Sequence, residues 1–336
     1  MAKTQLVENQ VHARLVLHRQ EDTDQHLDFL RDVLEGLSRK PKAIPPKFFY
    51  DQPGSLLFER ITRLKEYYIS RTEGAILKTH VRDILAMCPG EVTLVEFGSG
   101  SSAKTRMILD HLTDRQPALE YIPIDISPTV IHENSHRLLE DYPNLHIYGL
   151  VCDYHHAMEA LKRKPAPSRL FIFLGSSIGN FLTDEAIAFL RMVREAMGVN
   201  DRLLLGTDMV KDPAVLEQAY NDKSGVTGAF NLNLLERINR ELGGGFDLNR
   251  FSHRAVYNTE QNRIEMYLVS SMAQIVPVDS LGRAFRFSTG EMLHTENSHK
   301  YTTDSLGWLV AESGLRTVQG WQDPKGYFSL TLLAPA

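Results

Sequence analysis

Apolar runs alternate with helix-periodic segments through the middle of the chain, and this alternation predicts a parallel sheet. Five short apolar runs predict buried strands, at residues 93–97, 121–125, 147–152, 169–174 and 202–207. Segments with apolar side chains at helical spacing precede or separate these runs, at residues 81–87, 102–113, 128–140, 155–163 and 184–197. Strands that alternate with helices build βαβ units, so the order predicts five parallel strands in an α/β fold with helices on both faces of the sheet.

The pattern changes after Asp212, where it predicts an inserted α+β module. The predicted elements of this module are helices at 214–220 and 231–242 and strands at 252–258, 263–271 and 283–287. A helix at 303–313 and strands at 315–321 and 327–334 then predict a return to the first sheet, which brings it to seven strands. A further helix is predicted at 24–38, before three prolines. The predicted division therefore places residues 73–212 and 300–336 in one domain and residues 1–72 and 213–299 in a second.

The most informative stretch joins the strand at 93–97 to the helix that follows it. Gly98 and Gly100 allow the backbone to turn tightly and to approach a ligand, and the helix N-terminus offers unpaired N–H groups. The spacing Gly98-x-Gly100-x-x-Ala103 also fits the relaxed fingerprint of a nicotinamide dehydrogenase. Glu96 favours another cofactor, because its carboxylate would repel a pyrophosphate and attract the cationic sulfonium and amino group of S-adenosylmethionine. The turn therefore favours a methyl donor.

Two more carboxylates follow predicted strands. Asp125 ends the strand at 121–125, about 20 residues past the glycine turn, which is the spacing for gripping ribose hydroxyls. Asp153 follows the strand at 147–152, where it could accept from an adenine amino group while Tyr154 packs on the ring. Each acid alone could instead be a solvated carboxylate that caps the next helix. Together with Glu96, the two acids suit adenosylmethionine best.

Composition narrows the classes of function. A chain of 336 residues, 43% of them hydrophobic, can bury a substantial core. The formal charge of −5 and the scattered lysines and arginines predict no nucleic-acid partner. Only two cysteines occur and they lack CxxC spacing, so neither a disulfide framework nor a zinc site is expected. The histidines at 155, 156, 294 and 299 do not form a ligand set, so we predict no metal site. The polar N-terminus and the absence of a long apolar run predict no membrane association and a cytoplasmic location.

Seven segments of the chain carry a resemblance to a known family. They are PPKFFYD at 45–51, ITRLKEYY at 61–68 with RTE at 71–73, FGSG at 97–100 with KT at 104–105, LGSSIGN at 174–180, GTDMVKD at 206–212, IEM at 264–266 and MLHTENS at 292–298. From about residue 41 to the end, the sequence resembles the histidine-specific S-adenosylmethionine methyltransferases of ergothioneine biosynthesis. The resemblance implies a Rossmann-like class I methyltransferase domain, a second α+β substrate-binding domain, and methylation of the α-amino group of L-histidine up to trimethylhistidine (hercynine).

The resemblance also implies a role for individual residues. The residues it places at the cofactor are Gly98, Lys104, Asp125, Asp153 and Tyr154. The residues it places at the substrate are Tyr67, Gly175, Asn180, Tyr220, Phe230, Met266, Glu296 and Ser298, with Tyr50 near the methylated nitrogen. Among them, Tyr67, Asn180 and Tyr220 would hold the α-amino and carboxylate groups, and Tyr50 and Asn180 would act in catalysis. Glu296 and Ser298 would grip the imidazole ring, while Met266 and Phe230 would form walls of the pocket.

The chemistry of these residue types agrees with that assignment. Methyl transfer to an amine is an in-line displacement that needs the nitrogen lone pair, so the site must hold a deprotonated amine in position. Amide and phenol groups give hydrogen bonds of fixed direction, and an aromatic face attracts the quaternary ammonium product. Glu296 and Ser298 are two residues apart, so on an extended segment both point to the same face and can reach one imidazole. Such a site rejects analogues that leave its polar groups unpaired.

Other interpretations stay open from the residues alone. Without the resemblance, Glu296 is a loop carboxylate in water, Tyr67 and Tyr220 are packing aromatics with wet hydroxyls, and Asn180 caps a turn. A rival within the family is an N-methyltransferase for a tryptophan-derived amine, although such a substrate gives no reason for a charged imidazole clamp. A rival from another class is a catalytically silent protein that senses adenosylmethionine or pairs with an active subunit. The polar residues at the site positions argue against it, and we expect no obligate protein partner.

Overall fold

The computed structural model describes residues 7–19, 22–100 and 102–336. The strands within these ranges are β1 (Val7–His12), β2 (Leu15–Arg19), β3 (Lys42–Ala43), β4 (Thr93–Phe97), β5 (Leu119–Asp125), β6 (Leu145–Val151), β7 (Arg169–Phe173), β8 (Arg202–Asp208), β9 (Phe251–Asn258), β10 (Arg263–Ser270), β11 (Gln274–Val278), β12 (Arg283–Phe287), β13 (Met292–His299), β14 (Leu315–Gln322) and β15 (Phe328–Pro335). The α-helices are α1 (Asp22–Ser38), α2 (Gln52–Thr62), α3 (Ile69–Ala86), α4 (Ala103–Thr113), α5 (Pro128–Asp141), α6 (Tyr154–Arg163), α7 (Thr183–Ala196), α8 (Pro213–Tyr220), α9 (Val226–Leu242) and α10 (Thr303–Glu312).

The chain divides into two compact units. Unit 1 contains the described residues before Asp22, together with Ile69–Val210 and Lys300–Ala336. Unit 2 contains Asp22–Tyr68 and Lys211–His299. The sequence-based division placed residues 1–72 in the second domain. The strands within residues 7–19 instead belong to the sheet of unit 1, because β2 pairs in parallel with β6.

The sheet of unit 1 has nine strands in the order β1-β2-β6-β5-β4-β7-β8-β15-β14. The five predicted parallel strands are neighbours in this order and are parallel to one another. Strands β14 and β15 form the predicted hairpin, and β15 pairs antiparallel with β8. The seven predicted strands are therefore confirmed. The expected count of seven was too low, because β1 and β2 extend the sheet beyond β6.

Helices cover both faces of this sheet, as predicted. Val95 and Phe97 of β4 belong to the core that includes apolar residues of α6, α7 and α10. Side chains alternate along a strand, so Glu96 lies on the opposite face, where its carboxylate meets Thr105 of α4. Helix α3 packs beside α4 on that side. The parallel strands are thus buried on both faces, which explains their nearly continuous apolar sequences.

Unit 2 contains the predicted α+β module and three strands that were not predicted, β3, β11 and β13. Its main sheet has the order β3-β13-β10-β9, and β11 and β12 form a separate hairpin. Neither β11 nor β13 was predicted as a strand. Between Met266 and Tyr267 the register of β10 with β13 shifts, which leaves Thr295 as an extra residue in β13. Thr295 donates from its hydroxyl to the carbonyl of Met266 at 3.1 Å, so the bulge is held in place.

The chain leaves unit 1 after Val210 and returns to it at Lys300. At this point Met209 and Tyr301 form a parallel bridge, and the Val210 N–H donates to the Tyr301 carbonyl at 2.9 Å. The departing and returning segments are therefore adjacent within unit 1. Within the described part of the chain, no helix combines the length and the apolar character needed to cross a membrane.

Candidate active site

The glycine turn after β4 has the backbone conformation that its sequence predicts. Gly98 has φ +70° and Gly100 has φ +44°, values in the left-handed region that glycine tolerates best. The Gly98 N–H donates to the Ile124 carbonyl at 2.8 Å, which ties the turn to the end of β5. Among the described residues, no atom lies within 4 Å of a Cβ atom placed on Gly98. Gly98 therefore faces open space where a ligand can approach the backbone, and α4 starts directly after the turn at Ala103.

Glu96 does not face that open space. The side chain is 5% exposed, and its Oε2 atom accepts from the Thr105 hydroxyl at 2.6 Å and from the Tyr121 hydroxyl. Burial raises the pKa of Glu96 to about 7, although these hydrogen bonds favour the charged form. The interpretation of Glu96 as a cofactor contact therefore differs from the structure, because its position on β4 directs the carboxylate toward α4.

Asp125 lies at the end of β5 against the glycine turn. Its Oδ1 atom accepts from the Ser127 N–H at 2.9 Å. Burial raises the pKa of Asp125 to about 6, and hydrogen bonds from backbone N–H groups, including those of Ser99 and Gly100, oppose this rise. The structure thus brings Asp125 and the glycine turn together, as a site for the ribose of a nucleoside cofactor requires.

Asp153 and Tyr154 begin α6 at the end of the neighbouring strand β6. Asp153 caps the helix, since its Oδ1 atom accepts from the His156 N–H at 3.0 Å and lies 2.9 Å from His156 Nδ1. Its side chain is nearly half exposed. The Tyr154 ring packs edge-on against Phe97, with a centroid distance of 5.5 Å, and burial raises the pKa of its hydroxyl. Asp153 therefore has the capping role that was the alternative interpretation, and its exposure leaves it accessible to a ligand.

Lys104 and Gly175 share one partner that sequence reasoning did not assign to the site. Lys104 makes a salt bridge with Glu73 of α3. The Gly175 N–H, directly after β7, donates to both oxygens of the same carboxylate, at 2.8 and 2.9 Å. Glu73 is fully buried. The structure thus brings Lys104 and Gly175 together through Glu73.

Asn180 ends a short 3₁₀ turn that follows Gly175. The turn spans Ser177–Asn180 and starts after Ser176, whose φ is +59°. The Ser176 hydroxyl accepts from the Asp208 N–H at 2.9 Å, which fixes the turn against the end of β8. Asn180 is half-buried at the carboxyl end of the sheet, where ligands bind in open α/β sheets.

Aromatic rings from three segments of unit 2 form a cluster, which includes Tyr50, Phe58, Tyr67, Tyr220 and Phe230. Phe230 of α9 lies 5.7 Å from Tyr50 and 5.9 Å from Phe58, measured between ring centroids. Tyr67 contacts Phe58 at 6.3 Å and Tyr220 at 6.1 Å. The structure therefore gathers four predicted site residues, and Phe58 is a member that the sequence did not indicate.

The remaining predicted residues of unit 2 lie on one face of its sheet. Met266 is the register partner of Glu296, and Ser298 lies two residues farther along β13. All three side chains are buried, with exposed fractions of 1%, 7% and 3%. The Ser298 hydroxyl lies 2.8 Å from the Tyr220 hydroxyl, which connects this face to the aromatic cluster. Glu296 and Ser298 thus share a face, and Glu296 is not a loop carboxylate in water.

Two further groups hold the aromatic cluster in place. Asp51, which follows Tyr50, caps α2 by accepting from the Gly54 N–H at 2.9 Å, and it also accepts from Asn233 of α9 at 2.7 Å. His253 of β9 contacts the Tyr220 carbonyl through Nε2 at 2.8 Å. These residues were missed because a sequence pattern does not show which polar side chains are buried.

The site residues fit adenosylmethionine and give no indication of a metal. Open space above Gly98 and a carboxylate at Asp125 suit a nucleoside, and the ammonium of Lys104 suits the carboxylate of a methionine moiety. Within the described ranges, no three His, Cys, Asp or Glu side chains come together in a group that could hold a metal ion.

The fold and these residues define an S-adenosylmethionine-dependent methyltransferase. A model of the family described as histidine-specific, SAM-dependent methyltransferases matches residues 29–335, and the chain belongs to this family. The chain is 44% identical over 303 residues to a Histidine N-alpha-methyltransferase of Mycolicibacterium smegmatis, covering 90% of this chain and 93% of the relative. It is 41% identical over 309 residues to the protein of that name from Mycobacterium tuberculosis, covering 92% and 95%. It is also 31% identical over 302 residues to Ergothioneine biosynthesis protein 1 of Neurospora crassa, covering 88% of this chain and 33% of that longer protein.

Proposed function

We propose that this protein methylates the α-amino nitrogen of L-histidine with S-adenosylmethionine, three times in succession, to give trimethylhistidine (hercynine). This reaction is the first step of ergothioneine biosynthesis. The observation that carries the proposal is the buried pair Glu296 and Ser298 on one face of β13, with Ser298 hydrogen-bonded to Tyr220. Family membership and the names of the two mycobacterial relatives support the same substrate.

Glu296 and Ser298 recognise the imidazole ring in this proposal. A carboxylate accepts from one ring N–H, and a hydroxyl can donate to the other nitrogen or accept from it, so the pair matches either tautomer. A substrate that cannot make both of these hydrogen bonds is rejected, because it leaves one of the two interactions unmade. Met266 and Phe230 supply apolar walls, because both are almost fully buried in the same unit.

The amino-acid end is held by phenol and amide groups. Tyr67 and Tyr220 are each 6% exposed, and their rings lie in edge contact, so their hydroxyls have a fixed direction. We assign Tyr67, Tyr220 and Asn180 to the carboxylate and amino group, with Gly175 two residues before the turn that ends at Asn180. Tyr50 is assigned to the methylated nitrogen, where its half-buried ring can face an ammonium.

Unit 1 holds the cofactor, which supplies an electrophilic methyl group on a sulfonium. Asp125 accepts from the ribose hydroxyls, Asp153 accepts from the adenine amino group, and Tyr154 packs on the base. Lys104 pairs with the carboxylate of the methionine moiety, and Gly98 allows close approach of the backbone. A neutral tyrosine next to Phe97 is suited to a base-stacking role, because burial keeps its hydroxyl protonated.

The protein residues act by binding and orientation. The α-ammonium of histidine must lose one proton before each transfer, and a partly desolvated site lowers its pKa so that solvent can take that proton. Tyrosine hydroxyls and the Asn180 amide then hold the lone pair in line without competing as nucleophiles. Each methylation increases the affinity of the amine for aromatic faces until the product is a fixed cation. No metal or strong base is needed in this scheme.

The test is product analysis by mass spectrometry. Purified protein with adenosylmethionine and L-histidine is expected to give mono-, di- and trimethylated histidine, with all methyl groups on the α-nitrogen by fragmentation. Tryptophan in place of histidine is the matched control, because its indole keeps one ring N–H but lacks the second ring nitrogen, and it keeps the amino-acid backbone. A ring-methylated product, or equal turnover of the two amino acids, would contradict the proposal.

The partner implied by this function is the small molecule L-histidine. Both cysteines of the chain, Cys88 and Cys152, are free and buried, which agrees with a reducing compartment. A cytoplasmic location therefore stays part of the proposal. Fractionation of cells that express the protein, with antibody detection, tests it.

A further inference from the structure

Glu73 is a charged side chain in a place where charged side chains are rare. It lies in α3 and is 0% exposed, whereas glutamate is almost never fully buried unless it is paired. The partners of its carboxylate come from two other segments of unit 1, the first turn of α4 and the loop after β7. The fold therefore gives the buried carboxylate of Glu73 defined partners.

The contacts of Glu73 are complementary to an ionised carboxylate. The Gly175 N–H donates to Oε1 at 2.8 Å and to Oε2 at 2.9 Å, and the Lys104 ammonium forms a salt bridge with Oε2. Strand β8 makes room for the group, because a Cβ atom on Gly206 would lie 2.1 Å from Oε1. A glycine is therefore required at 206 for the carboxylate to occupy this position.

The partners of Glu73 are two residues of the proposed site. Lys104 lies in the first turn of α4, directly after the glycine turn, and its side chain is 26% exposed. An ammonium has three N–H bonds, so Lys104 can contact Glu73 and a ligand carboxylate at the same time. Gly175 has φ +75° and lies two residues before the turn that spans Ser177–Asn180. Without its carboxylate partner the half-buried Gly175 N–H would lose the acceptor that the fold gives it.

We propose that Glu73 is a positioning residue that sets the place of the Lys104 ammonium and of the Gly175 turn through one carboxylate. No contact with the cofactor or the substrate is assigned to Glu73. Through its salt bridge, Glu73 fixes the position of the Lys104 ammonium, which binds the methionine carboxylate. Through its hydrogen bonds with Gly175, Glu73 fixes the position of the turn that carries Asn180. This inference rests on the proposed function, because both partners were assigned to the site there.

The test compares Glu73→Gln with Asp201→Asn. Asp201 is the matched control, because it is 4% exposed, accepts from the N–H groups of Arg169 and Gly198 at 2.7 and 2.8 Å, and lies at the amino end of β8. In Glu73→Gln the amide oxygen can still accept from Gly175, but the NH₂ group opposes the ammonium of Lys104. We expect the Kd of S-adenosylhomocysteine to rise about tenfold. Asp201→Asn is expected to leave this Kd unchanged even if it lowers the melting temperature.

A double-mutant cycle separates positioning from general weakening. If Glu73 acts through Lys104, then Glu73→Gln combined with Lys104→Gln binds S-adenosylhomocysteine about as weakly as Lys104→Gln alone. The histidine kcat is also expected to fall in Glu73→Gln, because the turn before Asn180 loses its order. Unaltered binding in Glu73→Gln, or fully additive losses in the double variant, would overturn the proposal.

A second variant and a wild-type measurement cover the cases in which Glu73→Gln does not fold or the proposed substrate is wrong. If Glu73→Gln does not fold, Glu73→Asp keeps the charge but shortens the side chain by one methylene, so it cannot serve both partners. We expect the same direction of change in Kd, and normal binding by Glu73→Asp would refute the inference. If the wild-type protein binds S-adenosylhomocysteine but does not methylate histidine, the proposed substrate fails, whereas the cycle at Lys104 still tests Glu73.

Discussion

Replacing Glu96 with glutamine tests the effect of the buried carboxylate on stability. In the folded protein the pKa of Glu96 is raised from 4.5 to about 7 by burial. A raised pKa means that the folded state binds the proton more tightly than the unfolded state. The contribution of Glu96 to the free energy of unfolding therefore increases as the pH falls from above 7 to 4.5.

The size of this change in stability follows from the pKa shift of Glu96. At 1.36 kcal/mol per pKa unit, a rise from 4.5 to about 7 corresponds to about 3 kcal/mol between pH 8 and pH 4.5. Glutamine has nearly the same shape and no charge at any pH, and its amide oxygen can accept from Thr105 and Tyr121. We therefore expect Glu96→Gln to be more stable than the wild type at pH 8, by about 1–3 kcal/mol. This advantage is expected to disappear near pH 5.

Urea denaturation at pH 5, 6, 7 and 8, followed by circular dichroism, measures the difference between the two proteins. The difference matters more than either curve, because the pKa of Asp125 is also raised by burial, to about 6, and gives a slope of the same sign in both proteins. A difference that stays constant from pH 5 to pH 8 would show that Glu96 is not an ionised buried carboxylate, and the reasoning would be refuted.

Three other predictions concern the site. Glu296→Ala is expected to raise the histidine KM at least about tenfold, because it removes a charge-assisted hydrogen bond, while calorimetry shows unchanged binding of S-adenosylhomocysteine. Asp125→Ala is expected to weaken S-adenosylhomocysteine binding with little change in melting temperature. In the wild type, calorimetry is expected to show weaker binding below about pH 6, because Asp125 of the ligand-free protein is protonated there. Asp51→Ala is expected to lower the free energy of unfolding by about 2 kcal/mol, because α2 loses its cap and Asn233 loses its acceptor, and to raise the histidine KM through Tyr50. Normal histidine KM in the Asp51 or Glu296 variant, or unfolding of Asp125→Ala with normal ligand binding, would contradict the corresponding prediction.

The sheet of unit 1 was predictable because its central strands are apolar on both faces. Each of the seven predicted strands lies within two residues of its observed bounds. Strands β1 and β2 were not predicted, since β2 ends in His18 and Arg19 and has no long apolar run. Burial alternates along β2, so one face is less covered than the other and the apolar signal in its sequence is weak.

Strand β13 shows why the site is harder to predict than the fold. Its sequence from Met292 to His299 contains few apolar residues, because its buried face carries Glu296 and Ser298. The polar side chains that form a binding site thus remove the hydrophobic alternation that indicates a strand. The common face of these two residues was nevertheless predictable, since it requires only an extended backbone.

The burial of Glu73 and Glu96 could not be predicted from the sequence for a different reason. Glu96 lies in a predicted strand, whereas Glu73 lies in the part of α3 that precedes the predicted helix at 81–87, and a sequence pattern does not show that either carboxylate is buried. Their burial depends on partners 31 and 9 residues away, Lys104 and Thr105. Gly206 makes room for the Glu73 carboxylate, but a glycine in a strand does not show which side chain occupies that room.

The bridge between Met209 and Tyr301 affects how the chain can evolve. The residues of unit 1 that flank residues 211–299 are bridged to each other, as the two ends of a loop often are. Lengthening, shortening or replacing this segment alters no strand register in the nine-stranded sheet. Because residues 211–299 fold together with residues 22–68, whose β3 pairs with β13, an exchange of unit 2 by evolution or by a protein engineer has to include both segments, at four junctions with unit 1.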